Sequence, residues 1–368
     1  MDLTGRPLPL WYHPLYTDGI HPEARFPRTR YTRLLERLKP FTDVENRSSP
    51  VRLVLKTPEP IDEASLRLAH DPTYIERFMV GELSEKEQKR IGLTPWTPAM
   101  VERTLRLMGG ALEATQHVLE HGGIAANMAG GTHHAHRTFG SGYCIFNDLA
   151  VCALHALNHP GVERVAILDL DVHQGDGTAS ILQDEEAVLT VSVHCATNFP
   201  FRKTTSDHDL PLQPDSGDLA YLEAVEEALD LCMNIQPDLL LFQAGVDALD
   251  SDALGRLNVT RAGLRQRNDI VFQRAEREDV PVVVFMGGGY AKPIERTLEA
   301  FEDVFTQAAA WQHHRPNTRN PEPGQSPVKV VLRRRWLKPF HRRSGTLHLP
   351  RCRNDRRKTF LLQAAIRA

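Results

Sequence analysis

The sequence has little of what marks a secreted, disulfide-bonded or membrane protein. Its five cysteines include no Cys-x-x-Cys pair, which argues against a disulfide framework and against a thiolate zinc site. No apolar run approaches the roughly 20 residues that cross a bilayer. Residues 1–14 lack the basic start and apolar segment of a signal peptide. We therefore expect a cytoplasmic protein.

Basic residues are scarce in most of the chain and concentrated at its end. The whole sequence has 44 Lys and Arg against 47 Asp and Glu, and residues 312–368 hold 15 and 2 of these, which leaves 29 against 45 for the rest. The end segment is rich in proline and arginine and shows little periodicity. The pattern predicts one folded domain over residues 1–311 and a basic, poorly ordered tail over 312–368.

Short aliphatic runs alternate with helical patterns between these ends. Six runs are typical of buried parallel strands: 51–55, 124–128, 165–170, 188–193, 239–242 and 282–286. Helical periodicity follows a Thr97 cap as far as Gly122, and it recurs near 218–234, 260–278 and 293–310. This alternation predicts an α/β domain built on a doubly wound, mainly parallel sheet of about eight strands.

Residues that can carry chemistry follow four of the predicted strands. His133 and His134 come after the second run, Asp169 to His173 after the third, Asp247 after the fifth and Tyr290 after the sixth. Open parallel sheets bind ligands beyond the carboxyl ends of their strands. We therefore expect these segments to converge on one crevice.

A single-metal site is the first chemistry that these residues indicate. Asp171 and His173 are two residues apart, so both side chains can reach one ion from an extended segment. Asp247 would add a third ligand and leave positions for water and substrate, as a catalytic zinc requires. An isolated Asp-x-His pair is also common in loops without metal. A binuclear manganese centre would need a second Asp-x-Asp pair, but Leu249 stands there.

A histidine doublet and two further carboxylates provide candidates for a general base. Adjacent histidines cannot easily share one ligand direction, so His133 and His134 are expected at and beside the metal-bound water. Asp169 and Asp176 can each accept a hydrogen bond from an Nδ1 and raise the basicity of its ring. The alternative is an ordinary polar loop. Three other histidines are interpreted as ordinary loop residues: His136, His155 and His159.

Tyr290 follows three glycines, which let the backbone pass close to a ligand. Its phenol could donate to a developing oxyanion, an interaction worth roughly 3 kcal/mol. A glycine-rich turn with a tyrosine packed on it is the plain alternative. A phosphate loop is disfavoured because the Lys-Ser/Thr of a Walker motif is missing.

These motifs resemble the zinc-dependent histone deacetylases of the arginase/deacetylase superfamily, most closely bacterial members related to the class IV enzymes. The resemblance covers roughly residues 10–310. In the family's order it includes Tyr-His-Pro at 12–14, Arg-Phe-Pro at 25–27, Gly-Gly-Thr-His-His-Ala at 130–135 and Gly-Ser-Gly-Tyr-Cys-Ile-Phe-Asn-Asp at 140–148. The segments that contain Asp171, Asp247 and Tyr290 complete the set.

The resemblance implies one Zn²⁺ per chain, with Asp171, His173 and Asp247 as ligands. It also implies a K⁺ or Na⁺ ion near the zinc loop. The side chains of Asp171 and Ser192 and main-chain oxygens including those of Asp169 and His173 would bind that second ion.

The same resemblance implies roles in hydrolysis of an acetyl or longer acyl amide on lysine or a related amine. His134, oriented by Asp176, would be the general base and would later protonate the amine. His133, paired with Asp169, would tune the electrostatics, and Tyr290 would polarise the acyl carbonyl.

The resemblance implies residues that line the substrate tunnel, but two positions at its rim differ from the family pattern. Gly142, Tyr143 and Phe199 would wall the acyl-lysine tunnel. The aspartate that many family members use at the rim is missing from residues 92–96, and Leu254 stands where polyamine deacetylases have a glutamate. Deacetylation of an acetylpolyamine or another small amide is an alternative. A further alternative is a non-catalytic binding module whose basic tail contacts nucleic acid or an anionic surface, with an inert solvated tail as the simpler interpretation.

Overall fold

The computed structural model describes residues 5–42 and 50–314. Eight strands form one sheet, in which every pair of neighbours is parallel, in the order β2-β1-β3-β8-β7-β4-β5-β6. The strands are β1 Leu8–Trp11, β2 Leu53–Lys56, β3 Ile124–Asn127, β4 Val165–Asp169, β5 Val188–Cys195, β6 His208–Leu212, β7 Leu239–Gln243 and β8 Val282–Phe285.

Helices flank the sheet in two groups. The first half of the chain contributes α1 Leu15–Asp18, α2 Arg30–Leu38, α3 Glu63–Arg67, α4 Pro72–Met79, α5 Glu85–Ile91, α6 Ala99–His121 and α7 Asp148–Ala156. The part of the chain after β4 contributes α8 Asp176–Leu182, α9 Asp218–Asn234, α10 Arg261–Arg277 and α11 Glu295–His314. Helices α6 and α7 contact each other and the central strands, and α10 packs between α9 and α11. The predicted doubly wound α/β architecture is confirmed.

The carboxyl ends of four adjacent strands carry the predicted site. In the sheet order, β3, β8, β7 and β4 lie side by side, and these are the strands that precede the histidine doublet, Tyr290, Asp247 and Asp171. All four strands are buried along their whole length. Apart from the polar residue that ends β3, β4 and β7, their residues are apolar on both faces because helices cover both faces of the sheet. The crossovers therefore bring together segments that are far apart in sequence.

All six predicted strands are present, but two further strands were missed. The first is β1, a four-residue strand that contains Pro9, and the second is β6, an edge strand that contains Pro211. Proline cannot donate to a ladder, so a short run that contains one does not look like a strand. The first predicted run was also placed two residues early, since β2 begins at Leu53.

The predicted Thr97 cap of α6 is wrong. The helix begins at Ala99 with Pro98 as its cap residue, and the amides of Met100 and Val101 bond to the carbonyls of Thr97 and Pro98. Backbone carbonyls of this turn take the place of a side-chain cap. The predicted stop holds, because Gly122 has a positive φ of 65°.

The structure bears on three further features of the sequence: the cysteines, the lack of a membrane span and the tail. Cys144, Cys152, Cys195 and Cys232 are buried free thiols, and Cys352 lies outside the described residues. None of the helices in 5–42 and 50–314 has the length and apolar character needed to traverse a bilayer. Helix α11 continues to His314, and the remainder of the predicted tail lies outside the described residues.

A connecting segment, residues 58–61, lies directly on α6. The Ile61 amide donates to the Leu105 carbonyl at 3.0 Å, and the Glu59 amide donates to the Glu113 carboxylate at 2.7 Å. A Cβ on Gly109 would lie 1.8 Å from the Glu59 carbonyl oxygen. Glycine is therefore required at this contact although it weakens a helix.

We expect Gly109→Ala to lower the free energy of unfolding by about 1–2 kcal/mol, because the new methyl group must displace the 58–61 backbone. Urea denaturation measures this. Gly217→Ala is the control: Gly217 is the cap residue of α9 and its new Cβ would lie 3.5 Å from its nearest neighbour, so we expect a smaller loss, below about 1 kcal/mol. Equal stability of the two variants would contradict the packing described.

Candidate metal centre and active site

Asp171, His173 and Asp247 meet at the carboxyl edge of the sheet. His173 Nδ1 lies 2.9 Å from Asp171 Oδ1 and 3.2 Å from Asp247 Oδ2. One ligand atom from each residue lies within 4.8 Å of the other two, and all three residues are buried. The sequence prediction that these three side chains converge is confirmed.

Backbone amides hold the second oxygen of each carboxylate. The Gly288 amide donates to Asp171 Oδ2 at 2.8 Å, and the Val172 amide donates to Asp247 Oδ1 at 2.9 Å. A Cβ on Gly288 would lie 2.0 Å from Asp247 Oδ2 and 2.7 Å from Asp171 Oδ2. The middle glycine of the triplet is thus needed for the backbone to reach the carboxylates.

The charge of this group fits a bound cation. Burial and the neighbouring Asp171 charge raise the pKa of Asp247 to about 7. Burial lowers the pKa of His173, but its contacts with Asp171 and Asp247 outweigh this and raise the pKa to about 10. Two buried carboxylates side by side are unfavourable unless a positive charge lies between them. Carboxylate oxygens and imidazole nitrogens are both zinc ligands, and three protein ligands are the number that catalytic zinc sites use.

The histidine doublet forms two separate carboxylate pairs. His133 Nδ1 donates to Asp169 Oδ2 at 2.6 Å, and His134 Nδ1 donates to Asp176 Oδ1 at 2.6 Å. The two rings lie 4.1 Å apart, and both side chains are buried. Both predicted contacts are present. In each ring the bond to Nδ1 leaves Nε2 available for chemistry.

The interpretation of His136 as an ordinary loop residue is wrong. His136 Nε2 donates to Asp176 Oδ2 at 3.2 Å, so Asp176 accepts from two imidazoles. Both bonds hold the pKa of Asp176 well below its usual range, although burial acts against them. The sequence signal was present, because His136 is two residues from His134, but a loop's direction cannot be read from spacing alone.

The two histidines of the doublet have opposite pKa shifts. Burial would lower the pKa of His133, but the charges of Asp169 and Asp171 raise it to about 9. Burial, together with the neighbouring His133 charge, lowers the pKa of His134 to about 4 in spite of Asp176. Near neutral pH, His134 is therefore free to accept a proton, whereas His133 carries a positive charge.

The loop that carries the doublet is held in place by Asp148, the first residue of α7, and by Asn147, the cap residue of that helix. The Asp148 carboxylate accepts from the amides of Gly131 and Thr132 at 2.8 and 2.7 Å. The Asn147 side chain donates to the Ala135 carbonyl at 3.0 Å. Both residues belong to the 140–148 motif, but sequence reasoning gave them no role.

Tyr290 lines the same cavity as the ligand group and His134. Burial raises the pKa of its phenol well above the usual value, so the hydroxyl stays protonated and can donate. The buried Arg30 fixes the preceding turn, since its guanidinium donates to the carbonyls of Gly287 and Gly289, both at 3.1 Å. Arg30 also lies 5.5 Å from the centre of the Tyr290 ring.

The cavity has a volume of about 420 Å³ and opens at the surface. All four predicted substrate-binding residues line it: Gly142, Tyr143, Phe199 and Leu254. The Phe199 ring lies 4.8 Å from the His134 ring, and a Cβ on Gly142 would lie 2.6 Å from that ring. Gly142 also has a positive φ of 54°. The walls close tightly around the doublet.

A histone deacetylase domain model matches residues 24–307. This match covers more than half of the chain and spans every residue of the site described above. The chain belongs to the histone deacetylase family. The resemblance inferred from the motifs is confirmed, and the eight-stranded sheet is consistent with the arginase/deacetylase fold.

Relatives of this chain include proteins from bacteria and plants. A protein of Picosynechococcus, described as uncharacterized, is 43% identical over 78% of this chain and 93% of its own length. A histone deacetylase-like amidohydrolase of Pseudomonas aeruginosa is 30% identical over 77% of this chain and 75% of its own. Histone deacetylase 2 of Arabidopsis thaliana is 33% identical over 54% of this chain, and the match spans about half of the plant protein.

Two polar residues at the deacetylase site were missed by the sequence reasoning. Asp252 accepts the Tyr290 amide at 2.6 Å through Oδ2 and the amides of Leu254 and Gly255 through Oδ1. Asn198 donates to the Leu254 carbonyl at 2.7 Å and lies 3.3 Å from His173 Nε2. Both link loops that are distant in sequence, so no local pattern marks them.

Ser192, predicted to bind a monovalent ion, is buried next to the loop that carries Asp171 and His173. It lies opposite Asp169 in the β4–β5 register, and its hydroxyl is 3.0 Å from His194 Nδ1. Its position is compatible with the predicted ion, and the ion stays a prediction.

We expect Gly288→Ala to weaken binding of a divalent metal by about 10- to 100-fold, because the new methyl group would lie 2.0 Å from Asp247 Oδ2 and 2.7 Å from Asp171 Oδ2 and must displace both carboxylates. Elemental analysis of the purified variant, with a chelator titration, measures this. Gly217→Ala is the control. Full metal retention by Gly288→Ala, with an unchanged melting temperature, would show that the Gly288 contact is not needed.

Proposed function

We propose that the protein hydrolyses an N-acyl amide on lysine or a related amine in a zinc-dependent reaction. The observation that carries this proposal is one cavity lined by the Asp171–His173–Asp247 group, His134 and Tyr290. These supply a metal site, a neutral base and a hydrogen-bond donor, which are the parts that amide hydrolysis by activated water requires.

In this mechanism His134 moves the protons. A zinc ion held by Asp171, His173 and Asp247 would polarise the acyl carbonyl and lower the pKa of a water molecule. His134 takes a proton from the attacking water and returns it to the departing amine. Asp176 keeps Nε2 of His134 directed into the cavity through its 2.6 Å bond to Nδ1.

Tyr290 and His133 stabilise the charge that develops. The protonated Tyr290 phenol donates to the oxyanion as the carbonyl carbon becomes tetrahedral. His133, held by Asp169 at 2.6 Å, adds positive charge beside His134 and keeps the resting base neutral. The opposite shifts of the two adjacent histidines support this division of roles.

The cavity walls favour an acyl-lysine over a polyamine. Gly142, Tyr143 and Phe199 form a narrow passage that suits an uncharged alkyl stem. Leu254 lines the mouth, and the only carboxylates that line the cavity within the described residues are Asp171 and Asp247. A polyamine chain, with its additional positive charges, finds no counter-charge at the mouth.

The proposal includes a K⁺ or Na⁺ ion bound by Asp171, Ser192 and main-chain oxygens beside them. It also includes a catalytic domain over residues 1–311, separate from the basic tail, and a cytoplasmic location that suits four buried free thiols.

The direct test is a panel of peptides that carry acetyl-lysine or longer acyl-lysines, assayed with zinc-loaded protein. We expect release of the acyl group, loss of activity with a chelator, and recovery when zinc is restored. Acetylputrescine is the comparison substrate, and we expect its kcat/KM to be lower than that of the best peptide. Absence of hydrolysis of every member by zinc-loaded protein would reject the proposal.

Two substitutions separate metal binding from transition-state stabilisation. We expect Asp171→Ala to lose zinc and activity together. Tyr290→Phe should keep zinc and lower kcat by about 10²–10³-fold, because it removes one donor to the oxyanion. Tyr12→Phe, outside the cavity, is the matched control for loss of a phenol hydroxyl. Equal metal loss in Asp171→Ala and Tyr290→Phe would contradict the roles proposed.

A further inference from the structure

The charged residues that line the cavity are unbalanced in favour of arginine. Among the described residues, its carboxylates, Asp171 and Asp247, both belong to the metal group, whereas four arginines line the cavity. Two of these are buried: Arg30 and Arg103. The other two, Arg90 and Arg256, are exposed. This contrasts with the acidic balance of residues 1–311.

Arg90 is fixed beside one wall of the passage. It lies one residue before the end of α5, and its carbonyl accepts the Gly142 amide at 3.3 Å. The next carbonyl, that of Ile91, accepts the Tyr143 amide at 2.7 Å. The Arg90 guanidinium lies 4.6 Å from the centre of the Phe139 ring, which orients it without neutralising it.

Arg256 is fixed at the mouth by the loop that carries Leu254. Asp252 accepts the amides of Leu254 and Gly255 at 2.8 and 2.9 Å, and the Arg256 carbonyl accepts the Asp215 amide at 2.8 Å. Because Asp252 also accepts the amide of Tyr290, its oxygens are already occupied by backbone donors.

Neither mouth guanidinium has a carboxylate partner within 4.0 Å in the described part of the chain. Arginines on neighbouring elements are paired. Arg77 lies 2.5 Å from Glu87 of α5, and Arg261, five residues after Arg256, lies 2.6 Å from Asp303. Arginines near Arg90 and Arg256 in sequence or space thus have carboxylate partners, and the two arginines at the mouth have none among the described residues.

We propose that Arg90 and Arg256 bind a carboxylate on the amine side of the scissile amide. This inference rests on the proposed function and specifies its substrate class. With the acyl group at the metal centre, the lysine stem points outward and its α-carbon reaches the mouth. A carboxylate there can pair with a guanidinium through two parallel hydrogen bonds, whereas a cation is repelled.

Two sources can supply this carboxylate. One is the free α-carboxylate of an Nε-acyl-lysine, and the other is an Asp or Glu side chain that flanks an acyl-lysine in a peptide. The substrates are therefore two matched pairs. The first pair is Nα-protected Nε-acetyl-lysine as its free acid and as its carboxamide. The second is an acetyl-lysine peptide flanked by Glu and the same peptide flanked by Gln.

We expect the carboxylated member of at least one pair to have a roughly fivefold higher kcat/KM, mainly through a lower KM. This is the size of effect that a solvent-exposed ion pair with arginine gives. Raising the ionic strength from about 0.02 to about 0.5 M should reduce this ratio, because the guanidiniums are exposed. A response of the first pair alone identifies the α-carboxylate, and a response of the second alone identifies the flanking side chain.

The variants are Arg90→Gln, Arg256→Gln and the double substitution, which should bring the ratio close to one. Arg277→Gln is the matched control. This exposed arginine ends α10, which leads to the amino end of β8, whereas the cavity lies at the carboxyl ends of the strands. The control should keep the wild-type ratio.

Equal hydrolysis of both members of each pair, or an unchanged ratio in the double variant, would overturn this inference and leave the proposed hydrolysis intact. Absence of hydrolysis of all four substrates would instead reject the proposed function.

Discussion

The burial of two carboxylates against each other is the constraint on which the rest of the site depends. The Asp171 and Asp247 side chains have 2% and 0% of their surface exposed, so water cannot separate their charges. The fold brings His173 between them and directs the amides of Val172 and Gly288 at their remaining oxygens. A cation can lie at this group, but a side chain at position 288 cannot, because a Cβ there would lie 2.0 Å from Asp247 Oδ2.

Nearby charges also give opposite pKa shifts to two histidines that are neighbours in sequence. His133 lies near two carboxylates, 2.6 Å from Asp169 and 3.8 Å from Asp171, and it is held positive. His134 has Asp176, but that carboxylate also accepts from His136, and the positive His133 ring is 4.1 Å away. Two identical side chains thereby acquire different protonation states, and only the second is suited to accept a proton.

Much of the fold and the core of the site could be predicted because both depend on local patterns. Aliphatic runs marked six of the eight strands, and the strand-end positions of Asp171, Asp247 and Tyr290 indicated one crevice. The strands β1 and β6 were not predicted because each is short and contains proline. The role of Arg30 was not predicted for another reason. Its guanidinium donates to the carbonyl of Gly289, which is 259 residues away, and no pattern in the sequence around Arg30 indicates that contact.

The sequence by itself determined which residues were available for chemistry, the two-residue spacing of Asp171 and His173, and the family to which the chain belongs. Side-chain periodicity and spacing survive in the linear chain because they depend only on neighbouring residues. Only the tertiary structure decided that β3, β8, β7 and β4 lie side by side, that His136 shares Asp176, and that Arg90 and Arg256 line one cavity. Such contacts join distant segments, so they depend on how the whole sheet and its helices pack.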